Sequence, residues 1–121
     1  ILGFRSKDEM FWADLFKPYP VDVHITTDDG SAGTKGYPTT IMGDLIEKND
    51  FTGIYTCGPT PMMVGVAEVA RQYGVPCEVS LEEHMGCGTG GCLGCGCDGA
   101  GGKRYKICTD GPVFPAEEVF F

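Results

Sequence analysis

The sequence predicts an α/β fold, a parallel sheet with crossover helices that carries a cysteine-rich loop module at its C-terminal end. Three observations predict it. Stretches of strand character alternate with stretches of helical periodicity in the order β-α-β-α-β-α-β. The apolar run Gly53–Cys57 is continuous, as in a central strand buried on both faces of a parallel sheet. From Gly86 to Gly102 nine glycines are interleaved with cysteines, a composition unlike anything before it. The division falls between residues 1–82 and residues 83–121.

Ile1 to Arg5 reads as a short buried strand, and the chain opens on it without an initiator methionine. We therefore expect a fragment or a processed chain. Ser6 and Glu9 form S-x-x-E, a capping-box signature. Phe11/Leu15 and Trp12/Phe16 stand at i,i+4 spacing, predicting a helix whose aromatic residues pack in the core and which Pro18 and Pro20 end. Val21 to Thr26 alternates strictly. Val21, Val23 and Ile25 share one face and Asp22, His24 and Thr26 the other, which predicts an edge strand with His24 solvated. The loop after it runs Thr27-Asp28-Asp29-Gly30-Ser31. A carboxylate there can accept a hydrogen bond from a ribose 2′-hydroxyl and repel a 2′-phosphate, although an Asp-Gly turn needs no ligand to explain it.

Thr39 or Thr40 caps a second helix, with Ile41, Met42, Leu45 and Ile46 on one stripe. After the strand at 53–57 comes Cys57-Gly58-Pro59-Thr60-Pro61, in which Thr60 suits an N-cap and Pro61 the first helical position. The helix runs to about Tyr73, buries Met62/Met63, Val66, Val69/Ala70 and Tyr73, and stops at Gly74. A strand that feeds a helix N-terminus this directly is an anion site at the carboxyl edge of a sheet; Cys57 reads equally as a small hydrophobe. Val75–Leu81 is a further strand, and residues 104–107 form a short one beyond the loop. The tail from Asp110 is expected to turn away, its final aromatics packing on the core or on a partner.

Within the glycine-rich run, Cys87, Cys92 and Cys95 are spaced C-x4-C-x2-C, with Cys108 on a later segment. This is the plant-type [2Fe–2S] spacing, three thiolates from one loop and a fourth from downstream. Glycines let such a loop approach a cluster closely and turn N–H groups toward the sulfurs. A structural zinc site competes, although its ligands usually come as two separate knuckles. A Rieske centre needs two histidines, and His24 and His84 are unsuitably placed. A disulfide framework sits badly with seven cysteines. Cys97 is the alternative fourth ligand, but it lies one residue beyond Cys95, so Cys108 is preferred.

The chain's 121 residues suffice for a small domain with a core, and its net charge of −8 weighs against nucleic acid or an anionic membrane as partner. No apolar run reaches the length of a membrane span, and no signal peptide is evident. Thiolate chemistry favours a reducing, cytoplasmic location.

Four segments, TDDGSAGTKG, YTCGPTPMM, CEVSLEEHMGCGTGGCLGC and YKICTDGPVF, together resemble the electron-transfer subunit of NAD-dependent (type B) dihydroorotate dehydrogenase, of the ferredoxin–NADP reductase superfamily. The resemblance covers essentially the whole chain. It implies a ferredoxin-reductase-type nucleotide-binding domain over 1–82, only partial, and a [2Fe–2S] module over 83–121. It implies a role in pyrimidine synthesis, with electrons passing from an FMN-containing catalytic subunit through the cluster and FAD to NAD, in a heterotetramer. FAD would be held mainly by a preceding β-barrel absent here, so the chain alone is expected to be inactive and carries no catalytic acid or base. Residue by residue, Cys87, Cys92, Cys95 and Cys108 match the cluster ligands. Cys57, Gly58 and Pro59 match the motif beside the nicotinamide, and Asp28 and Asp29, before Gly30, fall where the adenosine ribose is bound. His84 stands where the family carries Arg, removing a fixed positive charge near the loop. The family's first strand and Gly-rich turn are absent too. Because that strand is the middle one in sheet order 3-2-1-4-5, a gap is expected between the strands at 1–5 and 53–57. Two other readings stay open, an electron-transfer subunit of another flavoenzyme such as a soluble hydrogenase, and a zinc-stabilised binding module without redox function.

Overall fold

In the computed structural model, which describes residues 1–121, two compact units divide the chain, Ile1–Lys48 and Asn49–Phe121. The first contains a parallel three-stranded sheet in the order β1 (Leu2–Phe4), β2 (Ile25–Thr27), β3 (Thr34–Lys35). Its register is Leu2↔Ile25 and Phe4↔Thr27 on one side of β2, and Thr26↔Thr34 on the other. Thr26 and Thr27 are fully buried at its centre, where the Thr27 hydroxyl donates to the Ala32 carbonyl at 2.6 Å. The turn from β2 to β3 is possible only with glycine at position 33. There φ is +62°, and a β-carbon would collide with the Ile25 carbonyl. Helix α1 (Thr39–Lys48) follows, burying Met42 from the predicted stripe.

The second unit is built on β4 (Ile54–Cys57) and β5 (Cys77–Ser80), parallel, with Ile54↔Cys77 and Cys57↔Ser80 in register. Helix α2 (Thr60–Gln72) makes the crossover and buries Met63, Val66, Ala67 and Ala70 at i, i+3, i+4 and i+7. It ends before Gly74, whose φ is +68°. Past β5, the cysteine loop leads into a hairpin of β6 (Gly96–Asp98) and β7 (Arg104–Lys106), then a single turn, α3 (Ile107–Asp110). The chain finishes with β8 (Val113–Pro115) and α4 (Ala116–Phe120).

β1 and β4 belong to different sheets and do not pair, and each has one edge free of any strand. β4 is not buried on both faces, since Tyr55 and Cys57 are exposed, and Tyr73 at the end of α2 is exposed as well. Four further expectations need correction. No helix follows Ser6. Two short 3-10 turns, Lys7–Glu9 and Ala13–Phe16, stand there instead, with Trp12 between them at φ +58°. The Ser6 hydroxyl makes no cap, and the Lys7 N–H is taken by Ser31 Oγ at 2.7 Å. Accordingly Phe11, Trp12, Leu15 and Phe16 are exposed, and Phe11 stacks edge-on with Phe4 and Trp12. Second, the alternating segment pairs only from Ile25 onward and is central, not at an edge. β1 is three residues long, so residues 21–24 run past its end, and Val21 and Val23 stay exposed for want of a partner strand. Third, Pro59 takes the N-cap position and Thr60 opens the helix, without a side-chain cap. Fourth, the tail does not turn away. β8 returns antiparallel beside β5, with Val79↔Phe114 in register, and the Phe121 ring lies under the Arg71 guanidinium at 4.7 Å.

Candidate metal centre

The cysteine loop has almost no regular structure between Ser80 and Gly96, and it encodes its shape in glycines. Gly88 and Gly90 adopt φ of +69° and +79°. A β-carbon on Gly86 would approach Cys92 Sγ to 3.2 Å, so glycine lets the chain pass this close to a sulfur without displacing it. Leu93 is the exception, a non-glycine at φ +62° with its side chain exposed.

This folding turns backbone N–H groups onto sulfur. Cys87 Sγ accepts from the N–H of Thr89 and of Cys92, both at 3.4 Å. Cys92 Sγ accepts from Gly94 at 3.4 Å. Cys95 Sγ accepts from Cys108 at 3.5 Å, and the Ile107 N–H donates to the Cys95 carbonyl at 3.1 Å. The downstream cysteine is thereby fastened to the third cysteine of the loop. The sulfurs fall into two neighbouring pairs, Cys87 with Cys92 and Cys95 with Cys108, each joined by an N–H from one partner to the sulfur of the other. No three His, Cys, Asp or Glu side chains converge to hold a single metal ion.

The electrostatics follow from these bonds. The side chain and N–H of Thr89, then the Cys92 N–H, lower the Cys87 thiol to a pKa of about 5, so it is a thiolate at neutral pH. The Cys108 N–H, followed by its side chain, holds Cys95 down as well. Cys108 moves the other way, pushed up first by the Cys95 side chain and then by burial, with the Gly90 N–H opposing. Three loop cysteines with N–H donors at their sulfurs, on a glycine-rich loop, and a fourth fastened to Cys95 fit a thiolate-ligated iron–sulfur cluster. Cys97 differs. It lies half-buried in β6 opposite Tyr105, no backbone N–H reaches its sulfur, and burial, then Glu83, push its pKa up.

The other predicted residues sit at strand ends. Cys57 closes β4, exposed, and Gly58 (φ +145°) and Pro59 lead into α2. A β-carbon on Gly58 would meet Met62 Cε at 2.6 Å. Beside them is a shallow hollow lined by Tyr55, Thr56, Cys57, Glu78, Ser80 and Val113. In the first unit, Asp28, Asp29 and Gly30 follow β2. Asp29 Oδ1 accepts from the Ser31 N–H at 2.9 Å and hydroxyl at 2.6 Å, and these bonds, the hydroxyl's first, lower its pKa. Its carboxylate is thus committed to the turn, while Asp28 is exposed and holds no such bond.

Sequence reasoning anticipated amides facing sulfur but named none of the donors, and it passed over Lys106. That side chain comes from β7 back over the loop, with Nζ 3.3 Å from where a β-carbon on Gly90 would stand. Only the tertiary path reveals this, since sixteen positions separate the two residues.

Residues 82–120 match the model of the iron–sulfur cluster binding domain of dihydroorotate dehydrogenase B. The chain is similar to a protein of Methanopyrus kandleri described as a probable dihydroorotate dehydrogenase B (NAD(+)) electron transfer subunit, with 41% identity over 98% of this chain and 44% of the relative. A Caldanaerobacter subterraneus protein described as the same electron transfer subunit is 42% identical over 99% of this chain and 48% of its own. Among solved structures, one of the NADH-dependent reduced ferredoxin–NADP oxidoreductase, described in connection with flavin-based electron bifurcation, superposes with a TM-score of 0.82. It is 40% identical, over 97% of this chain and 42% of that one. The chain thus spans just under half the length of the relatives it matches.

Proposed function

The chain is a relative of the electron-transfer subunits of dihydroorotate dehydrogenase B, and from that premise we propose that it relays electrons through a [2Fe–2S] cluster held by Cys87, Cys92, Cys95 and Cys108. The observation that carries this reading is the set of backbone N–H groups directed at Cys87, Cys92 and Cys95 inside the segment that matches the cluster-binding domain. When bound, such a cluster accepts and releases one electron at a time. The chain's own residues supply the thiolates, stabilise them through N–H dipoles, and fix the loop by the Cys95–Cys108 contacts. Residues 83–121 form the cluster module in this reading and residues 1–82 part of an NAD-binding domain, with Cys57, Gly58 and Pro59 beside the nicotinamide. The full route runs from dihydroorotate, at an FMN-containing catalytic subunit, through the cluster and FAD to NAD. The assembly is a heterotetramer in the cytoplasm, and most of the FAD site lies in sequence that this chain does not contain. All seven cysteines are unpaired, which suits a reducing compartment, and no helix is long and apolar enough to cross a membrane.

Anaerobically purified protein should contain about two irons and two sulfides per chain, absorb in the visible, and give an EPR signal after dithionite reduction. A colourless, EPR-silent protein with one zinc per chain would overturn the proposal in favour of a zinc-stabilised module. A second reading within the redox class has its own support, because the superposed oxidoreductase is as similar in sequence as the dihydroorotate relatives. Reconstituting the protein, together with an FAD-bearing N-terminal part, with candidate catalytic subunits separates the two. Dihydroorotate-dependent NAD reduction supports the first reading, and ferredoxin-dependent nucleotide reduction the second.

We assign the choice of nucleotide to Asp28, whose carboxylate is exposed and not committed to the turn as that of Asp29 is. In the assembled enzyme Asp28→Ser is expected to raise KM for NAD⁺ by about tenfold and to narrow the preference over NADP⁺ similarly, the scale of one charge-assisted hydrogen bond. Asp29→Asn should act differently, loosening the turn that Asp29 ties to Ser31. Unchanged nucleotide preference in Asp28→Ser would remove Asp28 from the site.

A further inference from the structure

We propose that Lys106 is a positioning residue for electron affinity, its ammonium the fixed counter-charge that sets how readily the cysteine loop's cluster takes up an electron. This rests on the cluster reading above. A [2Fe–2S] centre with four thiolates carries two negative charges when oxidised and gains a third on reduction, so any nearby cation favours the reduced form. The surroundings of the loop are acidic. Glu82 and Glu83 precede it, Asp98 and Asp110 follow it, and the whole chain carries −8.

Three cations lie on the hairpin, and their placements differ. Lys103 is exposed at the turn between β6 and β7. Arg104 also stands against the loop, its Nε 3.4 Å from the β-carbon position of Gly96, but it is exposed and faces Asp98 across the hairpin at 3.7 Å, so its charge is largely answered and solvated. Lys106 alone is half-buried with its ammonium against the loop. Nζ lies 3.3 Å from the β-carbon position of Gly90, inside the segment that joins Cys87 to Cys92, and the Gly90 N–H acts on Cys108. The ammonium enters no ion pair. The nearest carboxylate contact of Lys106 is made by its backbone, whose N–H donates to Asp110 Oδ2 at 2.7 Å. A half-buried cation against the segment that joins Cys87 to Cys92 is only partly screened by solvent and salt. Such a charge shifts a one-electron equilibrium by about a factor of ten.

The test is an EPR-monitored potentiometric titration of the anaerobic, cluster-loaded protein. Lys106→Gln keeps the stem and removes the charge. It is expected to lower the reduction equilibrium constant about tenfold, a shift of ~59 mV for one electron, with the EPR line shape unchanged. Lys106→Arg should stay close to wild type, and Lys103→Gln should move the constant less than about twofold. Thr109→Lys adds a second ammonium at an exposed position. Its side chain would lie on the same face of Gly90, where the threonine methyl now stands 3.0 Å from the β-carbon position, and it should raise the constant. Both shifts should shrink as salt is added. Should Lys106→Gln lose its iron, Thr109→Lys decides alone. A loaded protein in which neither variant moves the potential overturns the proposal. A wild-type protein without iron or EPR signal overturns the cluster reading instead, so the two failures are distinguishable.

Discussion

Serine at Cys108 is expected to strip the protein of its iron, leaving less than about a tenth of the wild-type content and no visible absorption. The hydroxyl is a much poorer ligand than a thiolate, and Cys108 is the one proposed ligand from outside the loop. Cys87→Ser should match it, because its thiol, with a pKa of about 5, is ionised at neutral pH and the hydroxyl that replaces it is not. The informative comparison is Cys97→Ser. Cys97 lies in β6 with no N–H at its sulfur and its pKa raised by burial, so the substitution should leave iron content and spectrum intact. The reverse result, iron lost from Cys97→Ser and retained in Cys108→Ser, would exchange their roles. Iron loss with each of Cys87, Cys92, Cys95 and Cys108 alone would establish the full set.

That expectation could be written from the sequence, and the reason is physical. Metal ligation is local chemistry: C-x4-C-x2-C in a glycine run nominates three sulfurs for one centre before any tertiary contact is known, and leaves the fourth to a choice between Cys108 and Cys97. The helices at 39–48 and 60–72 were legible for a similar reason, since their apolar residues recur at helical spacing. What failed depended on partners. Phe11, Trp12, Leu15 and Phe16 have helical spacing, yet no face is present for them to cover, and Trp12 sits in a left-handed conformation instead. Val21 and Val23 alternate like strand residues, but a strand exists only where another pairs with it, and β1 reaches no further than Ile25. The return of Val113–Pro115 to β5 and the reach of Lys106 over Gly90 join residues distant in sequence, and no local periodicity encodes either.

The second large effect concerns how the fourth cysteine is held in place. Ile107 is fully buried between β7 and Cys108, and its N–H donates to the Cys95 carbonyl. Truncating it to alanine removes three carbons from a closed site, at a cost of about 3–4 kcal/mol from lost burial and the cavity left behind. A unit the size of Asn49–Phe121 has a total stability of roughly 4–11 kcal/mol, so the variant gives up a large share of it. The expected drop in thermal midpoint is about 12–32 °C. Ile107→Val, which removes one methylene group, should cost about 1 kcal/mol and keep its iron. Because bound metal stabilises only the folded state, Ile107→Ala should also release iron to a chelator much faster than wild type, with Ile107→Val between them. Should Ile107→Ala melt with wild type yet lose iron, Ile107 would act on the site alone. If instead it melts early but keeps its iron until it unfolds, the Cys95–Cys108 clamp holds without the side chain, and the backbone bond at the Cys95 carbonyl is what fixes the fourth ligand.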